Sequence, residues 1–353
     1  MTNTKKTIAI VNGTGRQAAS LIRAVAAVGY GVRAQVYSTE GLVAEELAEL
    51  PNVKLFEGPL LDNPVLVDTI FDGAHIAFIN TNPLAGDEIK IGKALANAAK
   101  KRNIQHFIYS SMPDHSIHNP KWPSVPLWAP KFTVENYIRQ LGLPATFVYA
   151  GIYTNNFTSL PYPLFCTEFL EDGSVEWRAP FHPDIKLPWL DVEHDFGPAV
   201  LQIIKEGPGK WGKGQRIALA FENLTPLQVC ESFSKALDLP CDYVYDKQIE
   251  VAVSVPNGYR QQLSALEILF GHYNAPYFPG PDFQYMGRRK GSNETVTSRN
   301  SQESSCGKPG KLTDTARALW PGWRSIAEYF ATAFVAEEEA NGKTWMMDKT
   351  QST

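Results

Sequence analysis

Short apolar runs alternate along this chain with stretches in which apolar residues recur every three or four positions. Residues 7–11 (TIAIV) form a continuous β-branched and small apolar run, which predicts a buried strand. Across 16–28, Ala18, Leu21, Ile22 and Val25 fall on one face of a helix. The rhythm then repeats. Strands are expected at 32–36, 53–56, 76–79, 106–109 and 146–149, with helices at 42–50, about 64–71, 88–101 and 132–141. The helix at 42–50 stops against Pro51, because the residue before a proline is pushed out of the α region. Strands of four to six residues alternating with helices imply βαβ units and a parallel sheet covered on both faces. The expected class is α/β, a Rossmann-type doubly wound parallel sheet.

The alternation breaks after Ala150. Residues 161–188 are rich in Pro and aromatics and read as irregular structure with short strands. A helix is expected at 193–205, a strand at 216–221, a helix opened by Thr225-Pro226, a strand at 243–245 and a helix at 257–270. Residues 285–311 hold almost no apolar side chains and carry six basic and two acidic residues, a net +4, which reads as a disordered basic loop. Order should return with Thr313 as an N-cap, followed by an aromatic-rich helix at 323–334. The expected division is a dinucleotide-binding domain over 1–155, with segments near 189–222 packing back on it. A smaller C-terminal α/β domain, assigned to partner binding, covers 156–284 and 312–345.

Composition narrows the function. Hydrophobic residues are 44% of the 353, enough for a sizeable core. The formal net charge of −4 argues against direct nucleic-acid binding, which needs an excess of Lys and Arg at the phosphates. The N-terminus lacks a secretory apolar segment, the most continuous apolar stretch (145–153) is too short to span a bilayer, and Cys166, Cys230, Cys241 and Cys306 show no C-x-x-C spacing. The expectation is a soluble, reduced, intracellular protein with no membrane partner.

The first strand runs into Val11-Asn12-Gly13-Thr14-Gly15-Arg16-Gln17-Ala18. A dinucleotide loop needs a tight turn, bare backbone facing the pyrophosphate, and a small residue where helix packs on strand. Gly15 supplies the bare backbone and Ala18 the small residue. Asn12 occupies the first glycine's place, and Asn is among the residues that best accept a positive φ. The helix N-terminus then offers N–H groups and a positive dipole end to an anion. Strand two ends at Val36-Tyr37-Ser38 without the carboxylate that marks a ribose 2′-hydroxyl site, while Arg16 suits either a 2′-phosphate or a surface ion pair. NAD and NADP therefore both stand.

These residues, with Phe78-Ile79-Asn80-Thr81, Tyr109-Ser110-Ser111-Met112-Pro113-Asp114-His115, Trp128-Ala129-Pro130-Lys131-Phe132, Tyr149-Ala150-Gly151-Ile152-Tyr153, Pro188-Trp189-Leu190-Asp191, Ala275-Pro276-Tyr277-Phe278-Pro279 and Glu337-Glu338-Glu339-Ala340-Asn341-Gly342, make the chain resemble the NmrA-like family of atypical short-chain dehydrogenase/reductases nearly end to end. The resemblance implies bound NAD or NADP and a role as a transcriptional co-repressor in fungal nitrogen metabolite repression. It implies action through a GATA-type zinc-finger activator, with residence in nucleus and cytoplasm. It also implies that Tyr37, Ser38, Gly58, Asn80, Thr81, Lys131, Tyr153, Asn155 and Asn156 join the loop 11–17 as cofactor contacts.

Catalysis is not expected. Active short-chain dehydrogenases use Tyr-x-x-x-Lys on a helix, where the lysine eases proton loss from the phenol. The matching pair here is Leu127 and Lys131, and leucine has no proton to give. Tyr243-x-x-x-Lys247 falls on an expected strand, where four residues span roughly 13 Å. Ser110 and Ser111 have no tyrosine to work with. Lys131, just after Pro130, reads either as a solvated first-turn lysine or, from the family, as a contact to the nicotinamide ribose. Isoflavone-reductase-like enzymes keep the lysine without the tyrosine, so an NAD(P)H-dependent reductase is the alternative. His115 and His118 lack the Cys or carboxylate companions of a metal site and read as loop histidines. Arg288-Arg289-Lys290 reads as a solvated charge run or a nuclear signal. Trp320, Trp323, Tyr329, Phe330 and Phe334 read as core or as a docking face, and Glu337-Glu338-Glu339 as a solvated helix end or an acidic contact for a basic partner.

Overall fold

The computed structural model describes residues 6–158, 164–165, 167–249, 258–283 and 312–340. The expected basic loop at 285–311 lies outside them. The first half alternates as the pattern requires: β1 (Thr7–Ile10), α1 (Arg16–Ala27), β2 (Gly31–Val36), α2 (Leu42–Glu49), β3 (Val53–Glu57), α3 (Pro64–Phe71), β4 (Ile76–Ile79), α4 (Glu88–Lys101), β5 (His106–Ser111), α5 (Ala129–Gln140) and β6 (Ala145–Ala150). Asn63 caps α3 and Asp87 caps α4, each accepting a first-turn N–H. α5 starts three residues earlier than its apolar spacing suggests, because Pro130 fits the first helical turn, where its missing N–H costs nothing.

The second half begins with β7 (Ile152–Tyr153) and a 3-10 turn, Thr154–Phe157. It continues with β8 (Thr167–Phe169), β9 (Val175–Ala179), β10 (Leu187–Leu190), α6 (Val192–Glu206), α7 (Pro208–Trp211), β11 (Lys213–Leu219), β12 (Glu222–Leu224), α8 (Pro226–Leu237), β13 (Cys241–Tyr245), α9 (Tyr259–Leu266), α10 (Asp314–Leu319), α11 (Ile326–Thr332) and α12 (Phe334–Ala340). Thr225 and Gln228 close a capping box on α8.

The main sheet has seven strands in the order β11-β6-β5-β4-β1-β2-β3, all paired in parallel. Successive connections run outward in opposite directions from β1 and β4, which opens a crevice at the carboxyl ends of those two strands. One face of the sheet buries Leu21, Ile22 and Val25 of α1 with Phe196, Ala199 and Ile203 of α6. The other face buries Ile70, Ile91, Leu95, Val134 and Ile138 from α3, α4 and α5. Two three-stranded sheets, β12-β10-β7 and β13-β9-β8, complete the second half.

The expected long aromatic helix is two short ones. α11 begins only at Ile326, capped by Ser325, so Trp320 and Trp323 precede it. Tyr329, Phe330 and Phe334 are fully buried, with Phe330 set edge-on against Phe157 and Phe233. These rings are core, and the docking-face reading of them is withdrawn.

Candidate functional site

The turn after β1 is built by backbone constraints. Asn12 takes φ +60°, the left-handed conformation anticipated from its place in the loop. Its own N–H donates to the Gln35 side-chain oxygen at 3.0 Å, and its carbonyl accepts the Gly15 N–H at 2.9 Å. Gln35 is fully buried, and its amide group donates to the Gly58 carbonyl at 2.8 Å. Gly58, at φ +135°, returns its N–H to the Val36 carbonyl. One buried glutamine thus ties the loop after β1 to the turn after β3, across the end of β2.

Gly15 is the N-cap of α1 and has no side chain to close the helix end. A Cβ there would lie 2.8 Å from Asn12 Nδ2 and 3.1 Å from Asn12 O. The loop therefore keeps bare backbone beside an uncapped, positively polarised helix end. Gly13 is buried, with its N–H on the Gln35 carbonyl at 2.7 Å, and Thr14 is half-buried between them. Val11, just past β1, buries its side chain in the core. Arg16 pairs with Glu193 of α6 at 2.9 Å. Tyr37 is half-buried, and burial followed by the charge of Glu88 raises its phenol. Ser38 is exposed and accepts the Glu40 N–H.

Beyond the loop lies a cavity of about 350 Å³. Of the residues expected as cofactor contacts, it brings together Gln17, Asn80, Lys131, Tyr153 and Asn156. Gln17 is buried, donates to the Tyr153 hydroxyl at 2.5 Å, and leaves its own carbonyl oxygen buried without a partner among the described residues. An unpaired buried acceptor beside a cavity marks a place for a ligand donor. The lining also includes Leu127 and Ser110, weighed above for catalysis, and residues that sequence reasoning did not assign to the site. It includes an aromatic group, with Trp128, Phe181, Tyr259, Phe270 and Tyr277 supplied in part by segments more than 100 residues apart. The Trp128 and Ala275–Pro279 strings were visible in the sequence, but nothing local in them says that they meet.

Lys131 is not a solvated lysine. It is 8% exposed, and its ammonium donates to the Thr81 carbonyl at 2.6 Å and to Glu88 at 2.8 Å. Thr81 lies behind the cavity lining and gives its hydroxyl to the same Glu88 oxygen at 2.5 Å. Leu127 sits in the turn before α5, lines the cavity with Lys131, and has its N–H on Gln262. Tyr243 does not line the cavity, and its hydroxyl is spent on the carbonyls of Ala179 and Phe181.

Two expectations are corrected. Asn155 is fully buried, its amide on Glu337 at 3.2 Å and its oxygen on the Val192 N–H at 2.9 Å, so its side chain is spent on joining segments and does not line the cavity. Glu337 is no solvated helix end: it also accepts from Thr158 and Tyr329, each at 2.9 Å, and Glu338 is buried beside it. Only Glu339 of the three is exposed. His115 is a packing residue with its ring against Trp128, and its Nε2 faces the Pro276 carbonyl at 3.0 Å.

The residues at hand fit a dinucleotide. Bare backbone at a helix N-terminus suits a pyrophosphate, and an ammonium, an unpaired amide oxygen and aromatic walls suit a ribose and a planar ring.

Comparison with known proteins agrees with this geometry. The family model for the NmrA-like family matches residues 4–330. The chain is 60% identical to the nitrogen metabolite repression protein nmrA of Emericella nidulans, over 98% of this chain and 100% of that one. A crystal structure of NmrA, described as a negative transcriptional regulator in complex with NADP, superposes with a TM-score of 0.87 at 60% identity, covering 98% of this chain and 100% of that chain. A second, in complex with NAD, gives the same identity, coverage and TM-score.

Proposed function

We propose that this chain, which belongs to the NmrA-like family, is an NAD(P)-binding negative regulator of transcription in nitrogen metabolite repression that acts through a protein partner. The observation that supports the non-catalytic part is the pairing of Leu127 with Lys131: the cation is kept, and the position four residues before it carries no acid. General acid–base catalysis needs a titrating group within hydrogen-bond reach of the reacting atom, and Leu127 has none. The loop 12–17 and the uncapped end of α1 are assigned to the pyrophosphate, and Lys131, Asn80 and Gln17 to the nicotinamide half. The partner is a GATA-type zinc-finger activator, and nucleus and cytoplasm are where the two would meet. Such fingers are basic, so this mildly acidic chain favours encounter through long-range charge rather than through an apolar helix face.

Titration calorimetry with NAD, NADH, NADP and NADPH, followed by capture of a purified GATA zinc finger, tests this directly. Binding of at least one dinucleotide and of the finger is expected, with no consumption of NADPH above background when quinones or carbonyl compounds are offered. The second reading, a small-molecule reductase, is favoured by the aromatic half of the cavity. Robust turnover that is lost in Lys131→Met would put it first.

A further inference from the structure

The ion pair beneath the cavity has an asymmetry. Lys131 lines the cavity, whereas Glu88 does not. Both are buried, with side chains 10% and 3% exposed. Two of the three ammonium protons are spent at short range, on the Thr81 carbonyl at 2.6 Å and on Glu88 Oε1 at 2.8 Å. The Thr81 hydroxyl is a third, long contact at 3.4 Å. Glu88 stands in the first turn of α4, where the helix dipole favours a carboxylate. The Thr81 hydroxyl fixes its Oε1 at 2.5 Å and itself meets the Tyr109 hydroxyl at 3.2 Å. Its other oxygen, Oε2, is buried without a partner among the described residues. A buried pair is an expensive way to stabilise a fold, since apolar residues of the same volume do as well or better. What the pair does accomplish is to fix a flexible four-carbon side chain in one orientation beside the cavity, with only the long 3.4 Å contact to the Thr81 hydroxyl weak enough to be exchanged for a ligand.

We propose that Glu88 is a positioning residue for dinucleotide binding, holding Lys131 so that the N–H making its long contact to the Thr81 hydroxyl can turn to a hydroxyl of the nicotinamide ribose. This rests on the dinucleotide-binding reading above. Without the carboxylate the ammonium would be free to swing toward solvent, and each binding event would have to order it again. Glu88 therefore acts only through Lys131.

That restriction makes a double-mutant cycle decisive. NAD affinity is measured by calorimetry for wild type, Lys131→Met, Glu88→Gln and the double variant, with near-ultraviolet circular dichroism as the check of folding. Lys131→Met removes a charge-assisted hydrogen bond and should weaken binding by about tenfold or more. Glu88→Gln should weaken it by roughly three- to tenfold. The double variant should bind no more weakly than Lys131→Met alone. Should Glu88→Gln fail to fold, Glu88→Asp, which withdraws the charge by one methylene, replaces it with the same expectation. Losses that add, or a Glu88 variant with wild-type affinity, overturn the proposal while leaving the dinucleotide site standing. A wild-type chain that binds none of the four dinucleotides overturns both.

Discussion

The Ser20 hydroxyl of α1 stands inside the hydrogen-bond ladder of α6, accepting the Gly197 N–H at 2.9 Å and donating to the Glu193 carbonyl at 2.7 Å. The two helices approach so closely there that a Cβ on Gly197 would lie 2.2 Å from the Ser20 carbonyl oxygen and 2.5 Å from its carbon. α1 is the helix whose N-terminus faces the dinucleotide loop, and α6 carries Glu193, the partner of Arg16. This contact therefore sets where the loop stands relative to the second half of the chain.

Gly197→Ala should be costly for that reason. Backbone, not a flexible side chain, is what the new methyl group meets, so the helices must separate. An overpacked core contact costs about 1–3 kcal/mol, and the upper end is expected here. Urea unfolding of Gly197→Ala and of Ser20→Ala measures it. Equal stability of Gly197→Ala and wild type would show that the close approach is not kept in solution.

Gly15→Val should lose dinucleotide affinity by roughly tenfold or more while folding normally, because charge-assisted bonds to backbone N–H groups need close approach. The added carbon would displace the Asn12 side chain, 2.8 Å away, which can move without disturbing the sheet. Calorimetry and circular dichroism separate the two effects. Wild-type affinity in this variant would remove the loop from the binding site.

Glu337→Ala should destabilise the native state by about 1–3 kcal/mol, since it removes the acceptor that Asn155, Thr158 and Tyr329 share. Glu337→Lys should be worse, placing a cation among donors. Glu339→Lys, on the exposed position, should leave stability unchanged. Urea midpoints for the three variants give the ranking, and a neutral Glu337→Ala would refute the role of Glu337 in tying these segments together.

Stability should fall on acidification from near neutrality. Burial pushes the imidazoles of His106 and His115 down to about 4. In the unfolded chain they titrate near 6.5. Between about 6.5 and 4 the unfolded state binds more protons than the native one, so stability declines as the pH drops through that window and is unaffected by these groups above it. Each contributes about 3 kcal/mol at most. Asp195, whose carboxyl is raised by burial, acts in the opposite sense. The difference between wild type and His115→Gln isolates the histidine: the variant should show a shallower dependence of the urea midpoint on pH. Parallel curves would contradict it.

Local pattern determined the parallel sheet, because strand and helix periodicities are properties of neighbouring residues and βαβ connections leave little freedom of topology. It also determined the turn after β1, since Asn12 and Gly15 act through their own backbone conformations. That Leu127 stands four residues before Lys131 was equally legible, being a matter of residue type at a spacing. The tertiary structure alone decided what long side chains touch. Lys131 stays open between solvated lysine and cofactor contact until Glu88 and Thr81, from 43 and 50 positions away, are brought against it. Asn155 reads as a site residue until Glu337, 182 positions away, claims its amide. Trp320, Trp323 and the buried rings of α11 could not be assigned to core or surface from spacing, because helical spacing gives one apolar face without saying what covers it. Burial and partner choice are pairwise quantities between distant segments, and no single segment carries them.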